Sequence, residues 1–477
     1  MQKKILAAAV AALCGVAGTA MAQQAGGSKV ELWGIVDAAI RSTSNGGTTQ
    51  MMGGGMSQSR WGLKGEEDLG AGSKAIFEVE NRFNADDGTV SNPFFQLAYV
   101  GLQGPYGRLT MGRQWNVLFD VVTSTYASFP YSPYMEAYKP ELGMAVGART
   151  SNALKYTIAT PDRRWAAGLQ YSFDEKNNTL GLERDGIGAG QSNLAANMAD
   201  IQAQAAAAGN AAGQQYIANW MAANPGVVPP QAVQDAAQAI GLQVGQQTGQ
   251  LLGSQAVQTG LTNYMSSDAG RAAISAIGAG ATRTMGGFLR YSANGISLGG
   301  GYLKTKLPGG SDVDAWTLGG SYRSGALYFN LGYGLNKFKP VTAARTAPAE
   351  QQLTAAVRST VDRLILGNMW GGQTNGGFQI GDSNKRQMFK VGLGYQITPQ
   401  INAGLHYYHA KQSGSASLAS NGKANFIVAA VDYAFSKRTD AYFAVDNTRV
   451  SGGAAMAIDV SGARSRTGIT AGIRHRF

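Results

Sequence analysis

Between Ser59 and Gln114 the chain reads SRWGLKGEEDLGAGSKAIFEVENRFNADDGTVSNPFFQLAYVGLQGPYGRLTMGRQ, and at a period of two this stretch divides into four short strands. Tight turns at DLGAGS and QGPYG alternate with a longer polar loop. One face repeats Arg, Lys and Glu, which is too charged for a protein core. The other carries Trp61, Leu63, Phe77, Val79, Ala98, Val100, Leu102, Leu109 and Met111. An apolar face that can meet lipid, backed by a charged face that meets water, describes the wall of a transmembrane β-barrel.

The pattern continues along the chain. It begins at VELWGIVDAAI (Val30 to Ile40), resumes after Gln114 with RTSNALKYTIAT and RRWAAGLQYSF, and returns from TMGGFLRYSA through to RTGITAGIRHRF. About sixteen amphipathic strands result, an even number that puts both termini at one end of an antiparallel barrel. The connections PDR, ANG, RSG, TPQ and SKRTD are short and the alternate ones are expected to be long, so one rim carries turns and the other loops.

Residues 1–22 form a different unit. Lys3 and Lys4, an apolar run from Ile5 and the small-residue ending Ala20-Met21-Ala22 before Gln23 describe a secretory signal peptide cut between Ala22 and Gln23. The only cysteine, Cys14, lies inside it, so the mature chain has no disulfide framework and no cysteine metal site. Beyond it no long apolar run occurs, which excludes a helical membrane protein. Of 40 basic residues, the two leader lysines leave 38 against 29 acidic ones, a mature balance of +9. These charges are spread along strands, without a basic tail or recognition motif, so no nucleic-acid partner is expected.

SRWGLKGEEDLGAG, the AYVGL strand, GRQ after a glycine-turned strand, RTSNALKY and the terminal GITAGIRHRF occur in order, and together they resemble the Gram-negative general porins, most closely those of β-proteobacteria. The resemblance implies an all-β fold: a 16-stranded antiparallel transmembrane β-barrel over residues 23–477, with an inward-folded third loop at 115–148. It also implies an outer-membrane location, a homotrimer, and contact with outer-membrane lipid, lipopolysaccharide and the insertion machinery. The implied activity is passive diffusion of small hydrophilic solutes and ions, with no cofactor and no metal. In such porins a basic ladder on the wall faces acids on the inward loop. By motif position Arg60, Arg113 and Arg149 fall on that ladder, and Arg82 joins it as a neighbour of Lys74, Glu78 and Glu80 on one face. Arg113 shares strand parity with Leu109 and Met111, so a bulge or bend at Gly112 is needed to turn it inward. Lys64 and Lys155, with Glu78 and Glu80, are secondary lining charges. The cluster Glu66, Glu67 and Asp68 beside a turn is read as solvation or a salt-bridge site.

Two departures from the family pattern shape the expected selectivity. Ile35 follows Trp33-Gly34 where enterobacterial porins carry a lysine, and Pro130-Tyr131 replaces a proline–glutamate pair in the inward loop. Opposing acids are reduced to Asp120, Glu136 and Glu141, so arginines outweigh them and anions are favoured. Phe477, an aromatic at the chain end on the lipid face, resembles the signal read during outer-membrane assembly.

The least porin-like part is residues 174–281, rich in Ala, Gln and Gly, where two helices separated by Pro225-Gly226 and Pro229-Pro230 are expected. A second long loop, 340–386, carries AEQQLTAAVRSTVDRLILGNMW, another helix with Leu353, Val357, Val361 and Leu364 on one side. These helices could cap the mouth of a substrate-specific channel, or serve an adhesin on a barrel scaffold. An enzyme is disfavoured: His406 and His409 fall on opposite faces of one strand, and no catalytic grouping or metal spacing emerges.

Overall fold

The computed structural model describes residues 27–128, 147–174, 179–270, 282–344, 383–415 and 420–454, together with 418, 462–477 and parts of 346–363 and 456–458. The strands are β1 (Lys29–Thr43), β2 (Thr49–Gly53), β3 (Arg60–Gly70), β4 (Ser73–Phe83), β5 (Val90–Gly104), β6 (Gly107–Trp115), β7 (Arg149–Ala159), β8 (Trp165–Ser172) and β9 (Arg283–Ala293). They continue with β10 (Ile296–Lys306), β11 (Asp312–Ser324), β12 (Leu327–Lys339), β13 (Lys385–Gln396), β14 (Ile401–Ser413), β15 (Gly422–Ala434), β16 (Thr439–Gly452) and β17 (Ser465–Arg476). Neighbours pair antiparallel, and β17 returns to pair with β1 from Ile35↔Arg476 to Thr43↔Gly468. β1 meets β2 over Ala38–Ser42 and β3 over Lys29–Ile35, so β2 and β3 are two pieces of one wall position. Seventeen segments therefore make a closed barrel of sixteen wall strands. Closure removes the sheet edge and pairs the backbone within the wall, as a hydrocarbon surrounding demands. Among the described residues no helix is long and apolar enough to cross a membrane.

Alternation sets the two faces. On β16, Phe443 and Val445 are exposed, whereas Asp440, Tyr442, Ala444 and Asp446 are buried toward the interior. The chain end closes the turn rim: the N–H and C=O of Phe477 exchange bonds with Gly34 at 3.1 Å each way. A Cβ at residue 34 would collide with the Phe477 ring, so glycine there lets the terminal aromatic lie across the wall.

One rim carries turns as expected, at 71–72, 105–106, 160–164, 294–295, 325–326, 397–400 and 435–438. The other rim corrects the expectation of uniformly long loops, because β10 and β11 are joined by only 307–311. That connection is a compact turn in which Leu307 N–H donates to Ser311 O at 2.8 Å and Gly310 takes a left-handed φ of +101°.

The interior is partly occupied. A helix α1 (Val117–Thr125) follows β6, with Asn116 as its N-cap, accepting from Phe119 N–H at 2.9 Å. Its apolar face, Val117, Leu118, Val121 and Val122, is buried against the inner side of β8–β11, where Val117 and Leu118 join Leu303, Val313, Ala315 and Phe338. Gly299 and Gly301 make room for it: a Cβ at Gly299 would meet Thr125 and Val121, and one at Gly301 would meet Leu118. The chain then runs on along the inner face of the wall, with Tyr126 bonded to Thr317, Tyr328 Oη donating to Ala127 O at 2.7 Å, and Tyr408 Oη donating to Ser128 Oγ at 2.5 Å. From the β16–β17 connection, Met456 and Ile458 also turn inward, onto Met388, Tyr408, Ala424 and Phe426.

The long insertion is a helical hairpin of α2 (Thr179–Ala223) and α3 (Gln231–Ser266), divided where Pro225-Gly226 and Pro229-Pro230 were expected to divide it. At 45 and 36 residues the helices are about 67 and 54 Å long. Small residues let their backbones touch: a Cβ at Gly209 would stand 2.5 Å from Gly241 O, and one at Gly260 2.5 Å from Ala189 O. Near the base, a Cβ at Gly186 would reach Val361 at 4.0 Å. The adjoining Asp362 carboxylate accepts from Gly309 N–H at 2.7 Å and Ser311 N–H at 2.9 Å, tying that segment to the short β10–β11 turn. Leu353, Val357 and Leu364 lie outside the described residues, as do Ala22 and Gln23.

Candidate functional site

β3 and β4 are in unbroken register from Arg60↔Arg82 through Gly62↔Glu80 to Lys64↔Glu78, so the five charged residues of these three pairs share the inner face. Arg60 and Arg82 stand directly opposite one another, an arrangement that repels unless a counter-charge intervenes. Glu80 supplies it. Its side chain is 2% exposed, and its carboxylate lies 2.8 Å from Arg82 Nε, 3.7 Å from Arg60 NH1 and 3.8 Å from Arg149 NH2. Expected from strand parity as a lining charge, Glu80 is the point on which three arginines converge.

Arg149 opens β7, opposite Trp115 at the end of β6. The indole is its platform: the Arg149 guanidinium carbon lies 3.9 Å from the ring centroid and that of Arg82 5.2 Å. Phe119 of α1 stacks on the same indole at 3.7 Å with 7° between planes. Contacts of this kind contribute about 0.5–2 kcal/mol each. Trp115 thus joins the inward helix to the arginines. Its position just after GRQ was legible; its role depends on the turn that follows.

Asp120 sits in the first turn of α1, where negative charge is favoured, and accepts from Lys155 Nζ at 2.7 Å, while Lys155 also donates to Trp115 O at 2.9 Å. This pair brings together two residues assigned to different groups from sequence, and commits the Asp120 charge to Lys155 rather than to the arginines. Glu78 accepts from Tyr99 Oη at 2.5 Å, and Arg108 donates to the same phenol at 2.7 Å. Lys64 pairs with Glu31 at 3.2 Å in a half-exposed bridge, and Lys74 with Glu66 at 2.9 Å beside the turn.

Arg113 stands apart from the Glu80 cluster. Its NH1 donates to Ser151 Oγ at 2.8 Å, and it is in register with Ala98. A register irregularity does occur here, between Gly112 and Gln114, and Gly112 has φ +128°. The extra residue, however, is on β7, where Thr150 to Ala153 spans three steps against two on β6. Glu136 and Glu141 lie outside the described residues. No group of three or more His, Cys, Asp or Glu able to hold a metal occurs among the described residues.

The Gram-negative porin family description matches residues 7–453. Outer membrane porin protein 32 of Delftia acidovorans is 35% identical over 199 residues, covering 39% of this chain and 54% of that protein. An outer membrane porin protein of Bordetella pertussis is 36% identical over 204 residues, covering 37% and 50%. The alignments span about half the length of these curated relatives. Among solved structures, an anion-selective porin from Comamonas acidovorans superposes over 94% of this chain and 100% of its own, with TM-score 0.55 and 21% identity. A Salmonella typhi OmpF complex with daunomycin covers 94% and 98%, with TM-score 0.53 and 16% identity. The chain belongs to the Gram-negative porin family, and family and barrel together place it in the outer membrane of a Gram-negative bacterium.

Proposed function

We propose that this protein is a passive diffusion channel for small hydrophilic solutes and ions, that its narrowest part is the wall bearing Arg60, Arg82 and Arg149, and that it favours anions. The observation that carries the reading is the convergence of three guanidinium groups on the single carboxylate of Glu80. Three positive charges against one negative leave an excess, and the nearby Asp120 is already paired with Lys155. Within low-dielectric walls such an excess raises the local concentration of anions by roughly tenfold or more. The name of the Comamonas relative, an anion-selective porin, supports the same direction.

No energy source, cofactor or chemical step enters this reading. A homotrimer, assembled with lipopolysaccharide around it and delivered by the outer-membrane insertion machinery through Phe477, completes it. Arg113 is assigned to the flank of the arginine wall, and a cut between Ala22 and Gln23 releases the leader. A capped, substrate-specific channel is the second reading, favoured by the α2–α3 hairpin, whose base approaches Val361 beside the tethered Asp362.

Purified protein in a planar bilayer under a salt gradient tests the first reading. Stepwise conductance with a reversal potential of the sign set by anions is expected. A cation-selective or non-conducting folded barrel would overturn it. Liposome swelling that saturates with one solute would instead favour the capped channel.

A further inference from the structure

We propose that residues 54–58 form a second inward segment, seated on the carboxylate of Asp37, which narrows the passage from the side opposite α1 and braces Arg60 and Arg82. The proposal rests on the channel reading given above and adds a determinant to it.

After Gly53 the chain leaves the wall and rejoins it at Arg60, so the wall strand formed by β2 and β3 is interrupted by a detour. The detour turns inward, because its anchor, Asp37, belongs to the inner face of β1 with Ala39 and is fully buried. Asp37 Oδ1 accepts from Gly55 N–H at 3.0 Å and Tyr442 Oη at 2.5 Å, and Oδ2 accepts from Met56 N–H at 3.1 Å and Ser57 N–H at 2.6 Å. The backbone of Asp37 holds the two ends: its C=O accepts from Gly54 N–H at 2.8 Å, and its N–H donates to Ser59 Oγ at 2.9 Å. Successive N–H groups curled around one carboxylate form an anion-binding nest, here filled by the protein itself.

The seat is shaped for this segment. Gly54 has φ +91°, and a Cβ on Gly55 would run into Tyr442 Oη and the Ala39 methyl. Met56, 5% exposed, packs among Ala39, Ala430, Tyr442 and Ala444 from the inner faces of β1, β15 and β16. Ser57 Oγ accepts from Arg474 NH1 at 2.6 Å. Gln58 then reaches the arginine wall: its Oε1 accepts from Arg82 NH1 at 2.7 Å and its C=O from Arg60 Nε at 3.2 Å. In strand order the seat lies on β15–β17 and β1, whereas α1 lies on β8–β11, about half a barrel away.

Release of the segment is read with a thiol. Cys14 is the only native cysteine, so Met56→Cys in a Cys14→Ser background carries a single reactive sulfur. A charged methanethiosulfonate reagent should label it slowly in the parent. Asp37→Ala removes every carboxylate bond, and labelling should accelerate at least about tenfold, equal to about 1.4 kcal/mol in the seating equilibrium. Single-channel conductance of Asp37→Ala should rise with it. Gly55→Ala, which keeps Asp37 but fills the seat, should do the same and serves if Asp37→Ala does not fold. Folded variants, shown by heat-modifiable mobility, with unchanged labelling and conductance would overturn the proposal. So would faster labelling at unchanged conductance, because the segment would then not narrow the passage. Failure of Arg149→Ala to alter selectivity would refute the arginine wall while leaving these two readouts standing.

Discussion

Glu80 offers the sharpest test of the arginine wall, because removing its charge should push selectivity the opposite way from removing an arginine. Arg82 lies within hydrogen-bond distance of the carboxylate, at 2.8 Å, whereas Arg60 and Arg149 stand off at 3.7 and 3.8 Å. Two positive charges are thus left over. A unit charge acting on an ion at about 4 Å in water contributes about 1 kcal/mol. A Debye length of about 8 Å at physiological salt reduces that to about 0.6 kcal/mol. The result is about threefold in local anion concentration, with the reverse for cations. Arg149→Ala should therefore lower the anion-to-cation permeability ratio by about threefold to tenfold, and Glu80→Gln should raise it by a similar factor. Both ratios follow from the reversal potential across a tenfold potassium chloride gradient. The effects should shrink at about 1 M salt, where the Debye length is about 3 Å. Shifts of the same sign in both variants, or none in conducting channels, would refute the charge argument.

Other parts of the fold give separate expectations. Deleting Phe477 should reduce assembly in cells more than it reduces barrel stability in detergent, measured as folded yield against unfolding midpoint; equal losses would remove the assembly role. Gly209→Val should part α2 from α3, since its Cβ would press on Gly241 O, and should cost the hairpin about 1–3 kcal/mol. Limited proteolysis would detect this as faster cutting within 179–266 at unchanged barrel resistance, and simultaneous barrel loss would contradict the independence of the hairpin. Excision of Gly186 to Thr282 tests the cap: conductance and solute uptake should increase if the hairpin obstructs the mouth, and identical values would dismiss a gating role.

Barrel and helical hairpin were legible because each follows a local rule. Two-residue alternation places Phe443 outward and Tyr442 inward without reference to any distant residue, and the paired prolines punctuate Ala/Gln-rich helical sequence. The short β10–β11 connection was harder to read, because Asp362, which fixes it, is remote in sequence. The same limitation applied to the site. Arg60, Arg82 and Arg149 could be nominated by motif and parity, but the central role of Glu80 depends on Arg149 at the start of β7 reaching back past β6 and β5 to β4, and that of Trp115 on α1 folding back. Asp37 did leave a signal: a lone acid between Ile35 and Ala39 on an inner face otherwise aliphatic at that height. Its purpose becomes clear only when the Gly53-Gly54-Gly55 run is seen to curl around it.

On the proposed reading, selectivity and width have different physical origins in this barrel. Apolar contacts hold α1 on β8–β11, and a buried carboxylate holds 54–58 on the opposite side. The charge that an ion would meet stands on β3, β4 and β7, between those two attachments in strand order. Loosening either inward segment should chiefly change conductance, whereas altering Glu80 or its arginines should chiefly change the sign and size of the reversal potential. Gln58 is where the two meet, because it belongs to the seated segment yet accepts from Arg60 and Arg82. Gln58→Ala should therefore move both quantities modestly, by freeing Arg82 NH1 while keeping the Arg60 bond to the backbone C=O and leaving the Asp37 seat intact. A change in conductance alone would mean that Glu80 positions Arg82 without help from the Gln58 side chain.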